Sequence, residues 1–129
     1  MVCGRSDGGL LHVANVAAAG DLVATLKGAG LDARFSALYR TVPARALAPE
    51  ALDALATAPR SVVLIHSAKG AAAFREASVG MNLSPVVFVA ISDAASQPLD
   101  GCGARAIIKA ASPSETALMD ALDTAVLAL

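Results

Sequence analysis

The stretch SVVLIHSAKGAAAF, residues 61–74, decides how the rest of the chain is read. Val62, Val63, Leu64 and Ile65 form an apolar, β-branched run, which reads as a strand buried on both faces. His66 and Ser67 interrupt it, and residues 68–77 have the composition of a helix that Ser67 is placed to cap. The arrangement repeats in PVVFVAI, residues 85–91, followed by Ser92, Asp93 and a short helix closed by Pro98 and Gly101. Apolar strands alternating with helices imply parallel pairing with helices on both faces. The predicted fold class is therefore α/β, doubly wound, with a mostly parallel sheet of about five strands. Val63, Ile65, Val87, Val89 and Ile107 are expected among its most buried positions.

Working outward, residues 10–16 form an earlier strand bounded by Gly8, Gly9 and Gly20. Residues 21–29 follow as a helix, with Leu22, Leu26 and Ala29 at helical spacing, Asp21 at its start and Gly30 as terminator. Residues 34–38 alternate polar and apolar as a half-buried strand does, running into Tyr39, Arg40 and the turn at Pro43. Pro49 and Glu50 open a helix with Leu52 and Leu55 on its apolar face. Residues 104–109 are the last strand. A final helix starts from Ser112 as cap, Pro113 and Glu115, and sets Leu118, Leu122 and Val126 on one face.

Composition narrows the function. Of 129 residues 56% are hydrophobic and 16% charged, which excludes a disordered chain. Alanine holds 31 positions, so much of that apolar fraction suits close packing and carries little burial energy per residue. The formal net charge of -1 argues against a nucleic-acid partner. Two lone cysteines, Cys3 and Cys102, make neither a disulfide framework nor a metal pair, and fit the cytoplasm. Arg5, the run at 10–16 and the alanines at 17–19 imitate a secretory signal, but His12 and Asn15 suit a buried strand end better. No run is long enough to span a bilayer, so no membrane partner is expected.

Open parallel sheets bind ligands beyond the carboxyl ends of their strands. That rule selects Asn15, Tyr39 with Arg40, residues 66–69, Ser92 with Asp93, and residues 110–112. Four of these places put a small polar residue before a helix, so backbone N–H groups at helix starts point into one cleft suited to carboxylates or phosphates. Arg40 and Lys69 are the nearest cations for an anionic substrate, the alternative being solvated surface charge. Tyr39 is a phenol, protonated at neutral pH and able to donate to a leaving hydroxyl; the alternative is a ring anchoring its turn. Ser67 lacks the G-x-S-x-G elbow of a serine hydrolase, and a strand alternates its faces, so His66 is poorly placed as its base. His12, alone in an apolar strand, reads as structural. No metal cluster and no nucleotide fingerprint is present; Gly101-Cys102-Gly103 lies before a strand rather than after one.

Three segments, LHVANVAAAGDLVATLKGAGLDARFSALYRTVP, SVVLIHSAKGAAAF and FVAISDAASQPLDGCGARAIIKAASPSETALMDAL, resemble in order and spacing the C-terminal half of the uroporphyrinogen-III synthase family. The resemblance covers nearly the whole chain from about Leu10 and implies part of a two-lobe synthase fold. Residues 1–9 would be a tail, 10–42 a remnant of the second lobe with its return connection, and 43–129 the bulk of the first lobe. The implied activity is closure of hydroxymethylbilane to uroporphyrinogen III, with loss of water and inversion of the last pyrrole ring, in tetrapyrrole and haem biosynthesis. It implies Tyr39 as catalytic residue, and Ser67 and Ser92 as substrate binders, beside which Ala68, Lys69 and Arg40 complete the candidate set. No cofactor is implied. The family's N-terminal half has no counterpart here, from which a fragment, split enzyme or shortened homologue of impaired activity is expected, with a homodimer or a missing-half partner. The competing reading is a non-catalytic α/β domain binding an anionic small molecule, and a third is a flavodoxin-like binder.

Overall fold

The computed structural model of the chain describes residues 8–18 and 21–127. The chain divides into two compact units, the first ending at Val42 and the second running from Pro43 to Leu129. In the first, β1 (Leu10–Asn15), α1 (Asp21–Gly28) and β2 (Ala33–Tyr39) form a strand-helix-strand unit. β1 and β2 lie parallel, Leu10 beside Ala33 and Val13 beside Ser36, with a register shift after Ala14 that sets Asn15 against Tyr39. Asp21 stands in the first turn of α1, where the helix dipole favours a carboxylate. Gly30 stops the helix at a φ of 80°, with its N–H donating to the Lys27 carbonyl and the Leu31 N–H to that of Leu26. These two bonds satisfy the last carbonyls, and the left-handed residue between them favours glycine. Ala33 is buried, and His12 meets the ring of Phe35 edge-on at 5.5 Å between centroids.

The second unit contains α2 (Pro49–Thr57), β3 (Ser61–Ile65), α3 (Ala68–Ala77), β4 (Val86–Ala90), α4 (Asp93–Ser96), a 3-10 turn over Gln97–Leu99, β5 (Ala106–Lys109) and α5 (Glu115–Leu127). Its sheet has the order β3-β4-β5, both pairs parallel. The central strand is buried along its whole length. Val86, Phe88 and Ala90 face a cluster containing Ile65, Ala71 of α3, Ala95 of α4 and Leu99, where Phe74 meets Phe88 edge-on at 5.3 Å. Val87 and Val89 face Leu118, Ala121 and Ala125 of α5. Helices therefore cover both faces, and the five strands are parallel within two sheets, an α/β doubly wound architecture.

Three local expectations are corrected. Val63 and Ile107 are half-buried rather than among the most buried residues, because β3 and β5 are the outer strands of their sheet; Leu64 is 37% exposed. The buried line of α5 runs through Leu118, Ala121 and Ala125, with Leu122 half-buried and Val126 at 53% exposure. Alanine at the contact lets the helix lie close to the sheet, and that closeness selects the small residues over the larger ones beside them. Finally, α5 starts at Glu115, and its cap is Ser114: the Ser114 hydroxyl accepts the Ala117 N–H at 3.3 Å and its carbonyl the Leu118 N–H. The Ser112 carbonyl instead accepts the Ser114 N–H at 2.8 Å, placing Ser112 and Pro113 in the turn ahead of the helix.

Phe88→Ala should destabilise the second unit by about 3–5 kcal/mol, because the cavity opens where helices and sheet meet. Leu64→Ala, on the outer strand, should cost under about 1 kcal/mol. Urea unfolding followed by circular dichroism separates the two; equal losses would contradict this assignment of the core.

Candidate functional site

A parallel sheet delivers the loops that follow its strands to one edge. At that edge of the second unit, Ser67 follows β3 and its hydroxyl accepts the Gly70 N–H at 3.0 Å. Ser92 follows β4 and accepts the Ala95 N–H at 3.2 Å. Both have extended backbone at the cap and helical backbone immediately after it. Ala68 and Lys69 lie ahead of the first bonded N–H of α3, so their amides carry no bond within the helix. The same device recurs in the first unit, where Asn15 ends β1, accepts the Ala17 N–H at 2.9 Å and donates to the Thr41 hydroxyl at 2.6 Å.

Two contacts between side chains of opposite chargeable type lie at the strand ends of the second unit. His66 Nε2 is 3.4 Å from Glu115 Oε2, joining the end of β3 to the first turn of α5. Lys109 Nζ is 2.5 Å from Asp93 Oδ1, joining the end of β5 to the start of α4. All four side chains are exposed. The hydrogen bond and charge of Asp93 hold the Lys109 ammonium above the ordinary lysine range. A groove of about 350 Å³ opens here, lined by His66 and Ser67 together with Leu47, Leu64, Ile65 and Phe74. Among the described residues no three His, Cys, Asp or Glu side chains gather as a metal site, and no helix is long and apolar enough to cross a membrane.

Of the candidates read from sequence, Ser67, Ala68, Lys69 and Ser92 stand at strand ends of the second unit. Tyr39 closes β2 and Arg40 follows it, both exposed, in the first unit. Glu115 and Lys109 are charged groups at this edge that the sequence reading does not count among the site residues, Glu115 being read only as part of a helix start. Lys109 carried a usable signal, as the polar last residue of an apolar strand; Glu115 did not, since its meeting with His66 depends on the path of the whole sheet. Chemically the second unit's edge offers capped helix starts, free first-turn amides, one lysine neutralised by its partner, and an imidazole in contact with a carboxylate. The two serine hydroxyls already accept backbone N–H groups, which suits them to holding a helix start in shape and to donating outward.

The family model described as uroporphyrinogen-III synthase HemD matches residues 4–120. No curated protein and no solved structure matches the chain.

Ser67→Ala should cost about 1 kcal/mol of stability through loss of the cap, measured by urea unfolding. The Asp93–Lys109 pair has a definite pH signature. Because the folded state raises the lysine pKa, the pair's contribution is fully present below the unfolded value of about 10.4 and is lost as pH rises through the higher folded value. The stability gap between wild type and Asp93→Asn should therefore stay constant through neutral pH and narrow only in alkali. A gap that narrows near neutrality would contradict the assignment.

Proposed function

Because the chain belongs to the uroporphyrinogen-III synthase family, we propose that it closes hydroxymethylbilane into uroporphyrinogen III, losing water and inverting the last pyrrole ring. The observation that carries this reading is the pair of serine-capped helix starts after β3 and β4, with the free amides of Ala68 and Lys69 beside them. A bilane is rich in carboxylates, and helix starts bind carboxylates through N–H groups and the positive end of the helix dipole. Ring closure with loss of water is redox-neutral, so it calls for no electron-carrying cofactor. What the reaction needs is a substrate held in the folded geometry that favours inversion.

In this reading Ser67, Ala68, Lys69 and Ser92 bind substrate carboxylates, Arg40 adds a cation, and Tyr39 donates a hydrogen bond to the departing hydroxyl. Residues 43–129 correspond to the bulk of one lobe of the synthase and 10–42 to part of the other with its return connection. The work is that of a cytoplasmic lyase of tetrapyrrole biosynthesis.

The test is incubation of the purified chain with hydroxymethylbilane and separation of the product isomers. Type III isomer above the spontaneous blank, which closes to the uninverted type I, is the expected result; product identical to the blank would overturn the reading. Tyr39→Phe should lower the rate of type III formation about tenfold or more while the fold is retained. An unchanged rate would remove Tyr39 from the mechanism.

A further inference from the structure

His66 is the one histidine of the second unit. It follows directly on β3, beside the cap residue Ser67, and lines the groove along that strand. Its imidazole is about half exposed, open to a bound molecule, and one of its nitrogens, Nε2, faces Glu115 at 3.4 Å. That contact leaves Nδ1 for another partner. Glu115 stands in the first turn of α5, where a carboxylate is favoured. An imidazole that touches a carboxylate through one nitrogen and lines a groove is suited to moving protons near neutral pH.

The neighbouring groups are poor carriers of a proton. Lys109 is paired with Asp93 and holds its proton more tightly than an ordinary lysine. Ser67 and Ser92 are occupied as caps. Lys69, in the first turn of α3, and the Asp93–Lys109 pair are the other charges placed at the strand ends near His66. Only His66 belongs to the residue type that both gives and takes a proton between pH 5 and 8.

We propose that His66 is the acid–base residue of the ring-closing reaction and that Glu115 is its positioning residue. The inference rests on the function proposed above and adds the group that handles its protons. The carbon–oxygen bond of the hydroxymethyl group breaks with its electron pair on oxygen, which takes a proton from His66 and leaves as water. The pyrrole nitrogen lone pair stabilises the cation left behind. The cation bonds to the last ring at the α-carbon that already carries its methylene link. That link breaks, leaving a second pyrrole-stabilised cation, and re-forms at the ring's free α-carbon. The ring is thereby inverted, and the proton this carbon sheds returns to His66. One proton leaves the imidazole and one comes back, so no oxidant, reductant or further reactant is required.

The experiment compares wild type, His66→Ala and Glu115→Gln as full chains, each checked for fold by circular dichroism, in type III formation from hydroxymethylbilane between about pH 5.5 and 8.5. His66→Ala should lower kcat about a hundredfold with KM little changed, and added imidazole should restore part of the rate. Glu115→Gln should retain more activity than His66→Ala and, because its imidazole is still present, gain nothing from added imidazole. A His66→Ala chain with wild-type rate and pH profile overturns the proposal alone. So does a slow one that imidazole does not rescue and whose pH profile keeps its shape, since that marks a structural loss. A wild-type chain that yields only the blank isomer overturns the reaction itself for this chain, and the proposal with it.

Discussion

Burial of β4 on both faces is the constraint from which the second unit follows. Val86, Phe88 and Ala90 require one apolar layer and Val87 and Val89 another, and all five are at most 3% exposed. A strand covered on both sides leaves its neighbours no tight hairpin, because each connection must cross a face as a helix. Such crossings return the chain to the same end of the sheet each time, so the strands run parallel. Parallel strands in turn bring residues 66–69, 91–93 and 110–115 to one edge. The gathering of Ser67, Ser92, His66 and Glu115 is thus a consequence of how a strand of valines and a phenylalanine is kept from water.

What is written locally was legible. SVVLI and PVVFVAI announce strands by composition, and Ser67 and Ser92 announce caps because a cap is settled within three residues of sequence. Gly30 likewise stops α1 through bonds to residues just before it. Sheet order was not legible: nothing in the neighbourhood of Val63 or Ile107 says that their strands lie outermost, and so their burial was overestimated. The face of α5 was misread for a related reason. Leu122 and Val126 outrank Ala121 and Ala125 in hydrophobicity, but the distance between helix and sheet decides which residues fit, and that distance belongs to the tertiary structure. Ser114 rather than Ser112 caps the helix because two serines flank Pro113 and only the later one is bonded to the Ala117 amide.

The candidate site divides along the same line. Its strand-end serines and first-turn amides were visible in sequence because each belongs to one strand-helix junction. The His66–Glu115 and Asp93–Lys109 contacts were not, since each joins residues from different junctions. Binding groups that repeat at every junction arise from the fold itself, whereas a group that moves a proton needs a neighbour brought from elsewhere in the chain.

The make-up of this edge also bears on the kind of chemistry it suits. Ala68, Gly70, Ala110 and Ala111 keep the junctions small, and a Cβ at Gly70 would meet the Ser67 hydroxyl oxygen at 3.1 Å, crowding the cap itself. Small residues next to backbone N–H groups let a bulky, many-armed substrate approach the main chain, whose positions are fixed by helix and sheet and do not reorganise when charge develops. A site of this kind contributes shape and fixed dipoles. For the reaction proposed above, whose outcome depends on which way one ring is turned when the bond forms, a site of this kind selects the product by shape.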